Sequence, residues 1–254
     1  MVREQRRLLI PPPRLAPEVE LTATEAHYLT RVLRLAAGQA CEVVDGEGRR
    51  WSALLEGNDR LRLEQPLAKP LEHQSAPWPP LALAVALPRQ DSELIWRMAT
   101  ELGIDCLQPL QAARCVGRDR WPQERWQAIV KEAVEQCERL HRPQLAAPQE
   151  AQGWFTSPLE GVKLLASSRG GNRTLLPQWL EEQTRPAQVP VWVAIGPEGG
   201  WTPAEEDAAQ SQGWILVSAG PTILRTSTAA VAAAAWLAGW RSQLSSSSAP
   251  WQSP

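Results

Sequence analysis

Three short apolar runs in the second half of the chain constrain its fold most: VKLLAS (162–167), VWVAI (191–195) and ILVS (215–218). Each is strand-sized, nearly all apolar, and followed at once by a loop of small residues. Helix-length segments separate them. Runs of this kind read as strands buried on both faces, the habit of a parallel sheet covered by helices. The chain before them extends the alternation. LALAVAL (81–87) and residues 104–110 are two more strands of the same type. A helix is predicted over 91–102, opened by Asp91 or Ser92 and closed by Gly103. Another is predicted over 122–140, with Pro122 in the first turn and a stripe of Trp126, Ile129, Val130, Ala133, Val134, Cys137 and Leu140. Thr202-Pro-Ala-Glu205 is a capping box that opens a further helix, and the alanine-rich TAAVAAAAWLAGW closes the region as a helix. The expected fold class is α/β, with a mostly parallel sheet.

Residues 66–80, PLAKPLEHQSAPWPP, carry five prolines, which stop helices and central strands alike. They mark a boundary between an N-terminal domain over 1–75 and a larger domain over 76–242. The end of the chain, 243–254, is too polar to order itself and is expected to be a disordered tail. In the N-terminal part, Thr22-Ala-Thr-Glu25 opens a helix that Gly38 closes. Asp45-Gly46 and Glu47-Gly48 lie between two strand-like runs, as in a hairpin, and 60–64 alternates polar and apolar. Together they form a small barrel-like β domain.

Composition sets limits on function. The formal charge of −2 provides no global basic field, so any contact with nucleic acid must be local. Arg3, Arg6, Arg7 and Arg14 against Glu4 make the N-terminal arm locally positive, which suits RNA. The cysteines and histidines form no ligand-like cluster, so no metal is expected. No apolar run is long enough to span a membrane, and the one at residues 8–10 is too short for a signal peptide, so a cytoplasmic location is expected.

In an α/β sheet, ligands bind at the carboxyl ends of the strands. Three loops stand there: Ser168-Arg-Gly-Gly171, Gly196-Pro-Glu-Gly-Gly-Trp201, and the segment from Ala219-Gly-Pro to Arg225. Together they can form one pocket; singly each reads equally as an ordinary strand–helix turn. No P-loop, no G-x-G-x-x-G, no G-x-S-x-G elbow and no H-E-x-x-H occurs. Nucleotide hydrolysis by a P-loop, Rossmann dinucleotide binding, serine hydrolysis and zinc proteolysis lose their usual signatures.

IGPEGGWTPAEE, followed some twenty residues later by GPTILRTSTAA, resembles the 16S rRNA uridine-N3 methyltransferase family (ribosomal RNA small subunit methyltransferase E) of the SPOUT superfamily. HYLTRVLRLAAGQACEVVDGEG, ATELGIDCLQP and KEAVEQCERLHRP agree with it, in family order, over about residues 20–240. The resemblance implies a C-terminal SPOUT domain with a trefoil knot and a small N-terminal PUA-like β-barrel domain that binds RNA. It implies S-adenosylmethionine as methyl donor, a homodimer, and as substrate a uridine of the decoding region in small-subunit rRNA or the assembled 30S subunit. The donor would lie against Ala166, Ser167, Ile195, Gly196, Gly199, Gly200, Ser218, Ala219, Gly220, Ile223 and Leu224. Arg225 would partner the uracil anion, or else pair with a carboxylate. Glu198 would orient substrate, or else sit at a helix N-terminus stabilised by the dipole. Arg31, Arg34 and Arg139 would contact RNA, or else be solvated surface charges, Arg139 on the long helix. The chain departs from the family pattern at Met98, where lysine is usual, at Ala219, where leucine is usual, and at Ser227, which stands for a carboxylate. The alternatives are a SPOUT enzyme acting on tRNA or a ribose 2′-hydroxyl, and an RNA-binding homologue without activity.

Overall fold

The chain folds as two units in a computed structural model that describes residues 6–116, 121–167, 173–183 and 189–247. The first unit comprises 1–76 together with 131–142, and the second 77–130 with 143–254. The division after residue 76 falls within the proline-rich stretch. The return of 131–142 to the first unit is not foreshadowed by composition.

The first unit contains β1 (Arg7–Leu9), β2 (Glu18–Glu20), α1 (Ala23–His27), β3 (Ala40–Val44), β4 (Arg49–Glu56), β5 (Arg60–Leu63) and β6 (Glu72–His73). The strands join in the order β1-β3-β4-β5-β2, with β6 on β4. β3 and β4 form the expected hairpin, antiparallel through Val44 and Arg50. Gly46 and Gly48 take φ of +78° and +100° in its turn, a backbone that other residues adopt only with strain. Alternation along β4 buries Trp51, Ala53 and Leu55 against Leu8, Val19, Leu29, Val43 and Leu61. Trp51 is fully buried; an apolar side chain so placed contributes roughly 1.5–3 kcal/mol. α1 opens on the capping box, Thr22 Oγ1 accepting from the Glu25 amide and the Glu25 carboxylate from the Thr22 amide. A π-helical segment, Tyr28–Val32, follows it.

The second unit contains β7 (Leu81–Ala86), α2 (Ser92–Glu101), β8 (Cys106–Gln111), α3 (Gln123–Gln136), β9 (Gln144–Leu145), β10 (Gln149–Glu150), α4 (Ala151–Phe155), β11 (Val162–Ala166), α5 (Leu176–Glu182), β12 (Val191–Ile195), α6 (Pro203–Ser211), β13 (Ile215–Val217) and α7 (Thr226–Ser247), although the last turn and a half of α3 belongs to the first unit. The sheet runs β10-β8-β7-β12-β11-β13, with β9 on β8, and every pairing is parallel. Alternation sends Leu81, Leu83 and Val85 to one face, against Ile95 and Trp96 of α2, Leu176 and Leu180 of α5, and the alanines of α7. Ala82, Ala84 and Ala86 line the other face. Their small side chains leave room for Trp154, Phe155, Trp192, Trp201 and Trp214, packed ring on ring at 5.2–5.6 Å.

Three helical boundaries differ from the sequence reading. The helix expected to close at Gly38 ends with the π-helical segment at Val32, before Arg34 turns to a φ of +53°. α3 ends at Gln136, because Glu138 turns to a φ of +61°; Leu140 is buried beyond the helix, against Leu9, Val44 and Val134. α7 extends to Ser247, so the first residues of the expected tail are helical, and the rest of that tail lies outside the described residues. Arg241 holds α7 near the amino ends of β7 and β8, donating to Asp105 and to the carbonyls of Gly103 and Pro79.

The connections at the carboxyl edge are unusual. Residues 174–176 lie outside β13, where the Leu176 amide donates to the Ser218 carbonyl at 2.8 Å. The chain leaving β13 goes the other way, to α7, which packs on β7 and β12. Beyond 168–172 the chain from β11 thus stands on the outer side of β13, while the chain from β13 returns to the β7 and β12 side of the sheet.

Candidate functional site

A cleft lies at the carboxyl ends of β11, β12 and β13. It holds about 550 Å³ of space, open solvent included. Ala166 and Ser167 continue β11 into it. Ile195, Gly196, Pro197, Gly200 and Trp201 come from the loop after β12. Ser218, Ala219, Gly220, Thr222 and Leu224 come from the loop after β13, Thr226 and Ala229 from the first turn of α7, and Glu206 from α6.

Local rules fix each wall. The Gly200 amide closes a turn on the Pro197 carbonyl at 2.8 Å, with Gly200 at φ +69°. Trp201 then folds back, its Nε1 donating to the Ala166 carbonyl at 3.0 Å. Its ring lies so close to Gly196 that a Cβ there would sit 3.1 Å from the indole, so a side chain at this floor fits only if the indole gives by a few tenths of an ångström. Thr202 caps α6 with Glu205 as anticipated, and Glu205 also accepts the Ala113 amide at 2.8 Å. Arg114, beyond β8, braces the turn from behind by donating to the carbonyls of Gly199 and Trp201 at 3.0 Å each. Thr226, 2% exposed, donates from Oγ1 to the Gly196 carbonyl at 2.9 Å, which joins the start of α7 to the loop after β12. Ser218 Oγ donates to the Gly220 carbonyl at 2.7 Å and shapes the third loop.

Most of the lining is apolar side chain or backbone. Glu206 is the one ionisable side chain among the described lining residues. Its carboxylate accepts from Ser167 Oγ and pairs with Arg173 at 3.5 Å.

Nine of the eleven residues expected to meet a donor line this cleft: Ala166, Ser167, Ile195, Gly196, Gly200, Ser218, Ala219, Gly220 and Leu224. Gly199 does not, because it forms the back of the turn, under Arg114. Ile223 does not either; it points to solvent, 80% exposed. Sequence reading passes over Pro197, Trp201, Glu206, Thr222, Thr226 and Ala229. All six stand inside the two motifs already singled out, IGPEGGWTPAEE and GPTILRTSTAA. Helical spacing also points to Glu206 and Ala229, four residues after Thr202 and three after Thr226.

Arg225 and Glu198 are exposed and lie outside the lining, each next to residues that line it or turn toward it. No carboxylate pairs with Arg225 among the described residues. Ser227, in place of the family's carboxylate, donates to Asp91 at 3.4 Å. Asp91 stands before α2 with φ +70° and caps nothing there. Arg31 and Arg34 are exposed in the first unit, in and just after the π-helical segment. Arg139 is half-buried and lies past the end of α3, so it is not a helical residue. The locally positive N-terminal arm is not realised by Arg7 and Arg14: Arg7 is buried on Glu42 at 2.7 and 3.0 Å, and Arg14 grips Glu25 with two bonds of 2.8 Å. Arg3, Glu4 and the loop at 168–171 lie outside the described residues. Among the described residues, no group of His, Cys, Asp or Glu is placed to hold a metal ion, and no helix is long and apolar enough to cross a membrane.

Known proteins match both units. Residues 75–238 match the family model of an RNA methyltransferase domain, and 21–64 that of an RNA methyltransferase PUA domain. A ribosomal RNA small subunit methyltransferase E of Synechocystis is 39% identical over 234 residues, covering 90% of this chain and 76% of its own. The Mycobacterium tuberculosis protein of the same name is 32% identical, covering 82% and 81%. Among solved structures, a Legionella pneumophila methyltransferase with bound SAM superposes with a TM-score of 0.80 at 26% identity, covering 94% of this chain and 98% of that one. A Neisseria gonorrhoeae ribosomal RNA small subunit methyltransferase E bound to S-adenosylmethionine gives 0.74 at 25%, covering 91% and 95%. The fold is α/β, a SPOUT methyltransferase domain with a PUA-like β domain before it, and the chain belongs to the ribosomal RNA small subunit methyltransferase E family.

Proposed function

We infer that this chain transfers a methyl group from S-adenosylmethionine to N3 of a uridine in the decoding region of small-subunit rRNA. The observation that carries the reading is the meeting of three strand-end loops and the start of α7 in one cleft, in a chain of this family. The residues present suit the donor. Ile195, Ala219, Leu224 and Ala229 offer apolar walls, and the glycine floor at Gly196 leaves backbone open where a side chain would press on Trp201. When bound there, S-adenosylmethionine supplies an electrophilic methyl on a sulfonium.

The chain's own task is then positioning and charge. N3 of uracil must lose its proton, and the anion needs a partner. Arg225, exposed at the lip of the cleft and without a carboxylate partner among the described residues, takes that role. Glu198, exposed on the turn after β12, orients the substrate. Arg31 and Arg34 meet RNA phosphates, and Arg139 adds to the RNA-binding surface. The protein acts as a homodimer in the cytoplasm, on rRNA or the assembled 30S subunit.

Mass mapping of small-subunit rRNA from a deletion strain, with and without the gene restored, tests this. One uridine of the decoding region loses about 14 Da on deletion and regains it on restoration. An unchanged uridine there, with a methyl group missing from a tRNA or a ribose, overturns the assignment.

A further inference from the structure

The cleft carries a charge that neither a glycine floor nor apolar walls require. Glu206 sits one residue past the capping box of α6, with its carboxylate at the cleft wall. Ser167 Oγ occupies one of its oxygens, and Arg173 stands 3.5 Å from the other. An ionised carboxylate accepts about four hydrogen bonds, so it keeps capacity toward the cleft. Arg173 is itself largely buried, and its Nη1 finds no partner among the described residues, so Glu206 is the anion this guanidinium is held against. No other side chain lining the described cleft is ionisable. Glu206 is half-buried, and a charge so placed acts more strongly than one in solvent.

Methyl transfer changes the charge of what the cleft holds. The carbon–sulfur bond to the methyl breaks, the electron pair stays on sulfur, and the sulfonium becomes a neutral thioether. The ammonium and carboxylate of the methionine end are unaltered. We propose that Glu206 distinguishes donor from spent product, a role that rests on the cleft being the donor site. It favours S-adenosylmethionine through the sulfonium charge and releases S-adenosylhomocysteine once that charge has gone. Arg173 and Ser167 are positioning residues that keep the carboxylate turned to the cleft.

Calorimetric titration of the full chain tests this without turnover. The ligands are S-adenosylmethionine, S-adenosylhomocysteine and sinefungin, which carries an amine in place of the methylated sulfur. Glu206→Gln keeps the shape and the acceptor for Ser167 but removes the charge. It raises the Kd of S-adenosylmethionine and of sinefungin on the order of tenfold and leaves that of S-adenosylhomocysteine within about twofold. Gly220→Val serves as the second variant. Gly220 lines the cleft, and a side chain there meets Leu224 at 3.3 Å and the Thr222 carbonyl at 3.8 Å, so a valine narrows the site and weakens all three ligands. If Glu206→Gln weakens all three alike, or none, while Gly220→Val abolishes binding, the charge reading is overturned and the cleft reading stands. If neither substitution changes any titration, the cleft reading fails and the inference falls with it.

Discussion

Replacing Thr226 by valine removes one hydroxyl and almost no volume, at the point where two walls of the cleft meet. Thr226 is buried, and its bond to the Gly196 carbonyl at 2.9 Å is the link from α7 to the loop after β12. A typical intramolecular hydrogen bond contributes about 1 kcal/mol net, and leaving its buried partner unsatisfied costs about 1–3 kcal/mol. Gly196 is only half-buried, so in the free protein water reaches its carbonyl. Thr226→Val is therefore expected to lower unfolding stability by about 1 kcal/mol, the low end of that range. A bound donor displaces that water, and the carbonyl then lacks any partner. The penalty rises by about another 1 kcal/mol, which appears as a roughly fivefold weaker Kd for S-adenosylmethionine. Urea denaturation with and without the donor, together with calorimetry, measures both quantities. Thr226→Ser keeps the hydroxyl and stays near wild type in affinity. A Thr226→Val protein that loses stability but binds the donor with unchanged affinity refutes the reasoning, since the hydroxyl would then support the fold without shaping the site.

Arg225→Ala is expected to lower kcat on the order of a hundredfold, the usual effect of deleting a charge-stabilising donor, with the Kd of the donor unchanged because Arg225 does not line the cleft; a weaker Kd with normal kcat contradicts its assigned role. Arg31→Ala and Arg34→Ala each reduce the salt dependence of rRNA binding by about one phosphate contact, read from the slope of log K against log salt; unaltered slopes place RNA elsewhere. In the first unit, burial pushes Glu135 up to about 7, against the Leu9 amide and Lys131, while Glu25 and Glu132 push it further up. Its folded value lies above its ordinary one, so its contribution is full below about 4.5 and is lost as pH rises through 7. Glu135→Gln flattens this fall and gains up to about 3 kcal/mol on wild type between about pH 5 and pH 8, measured by denaturation; parallel pH profiles refute it. Glu25 behaves oppositely. Burial raises it, but Arg14, the Thr22 amide and Lys131 prevail and hold it at about 2, so its contribution is present above its ordinary value of 4.5 and fades as pH falls toward 2. Arg14→Ala moves the acid-unfolding midpoint upward; an unmoved midpoint argues that the pair is ornamental.

Strands that are buried on both faces declare themselves by composition, which is why β12 is legible as VWVAI and β7 as LALAVA. The two capping boxes are local chemistry and are equally readable. Periodicity misleads at the end of α3. The stripe runs on to Leu140 because that residue is buried, yet burial there is achieved by a turn through Glu138 rather than by another helical turn. The same residues cluster with the N-terminal unit, a matter of tertiary packing that no local pattern encodes. Charges are harder still to read. Arg7 and Arg14 look like a basic arm because their partners, Glu42 and Glu25, lie far along the chain. Glu206 looks like one more solvated helix carboxylate, since only the meeting of α6 with the end of β11 turns it into a cleft wall. The glycine loops draw attention to the right edge of the sheet. They do not reveal which glycine forms the floor and which the back.

The sequence holds 13 tryptophans against one Phe and one Tyr, an excess that offers no function by itself; Trp154, Trp192, Trp201 and Trp214 are the ones the alanine face of the sheet accommodates.

Arg114 reaches the turn after β12 from behind, through the carbonyls of Gly199 and Trp201, without itself lining the cleft. A shelf assembled in advance asks little ordering when a guest lands on it, so little of the binding free energy goes into freezing a loop. Loosening that brace would then surface as an entropic deficit at nearly constant enthalpy, a signature read far from any atom the donor touches.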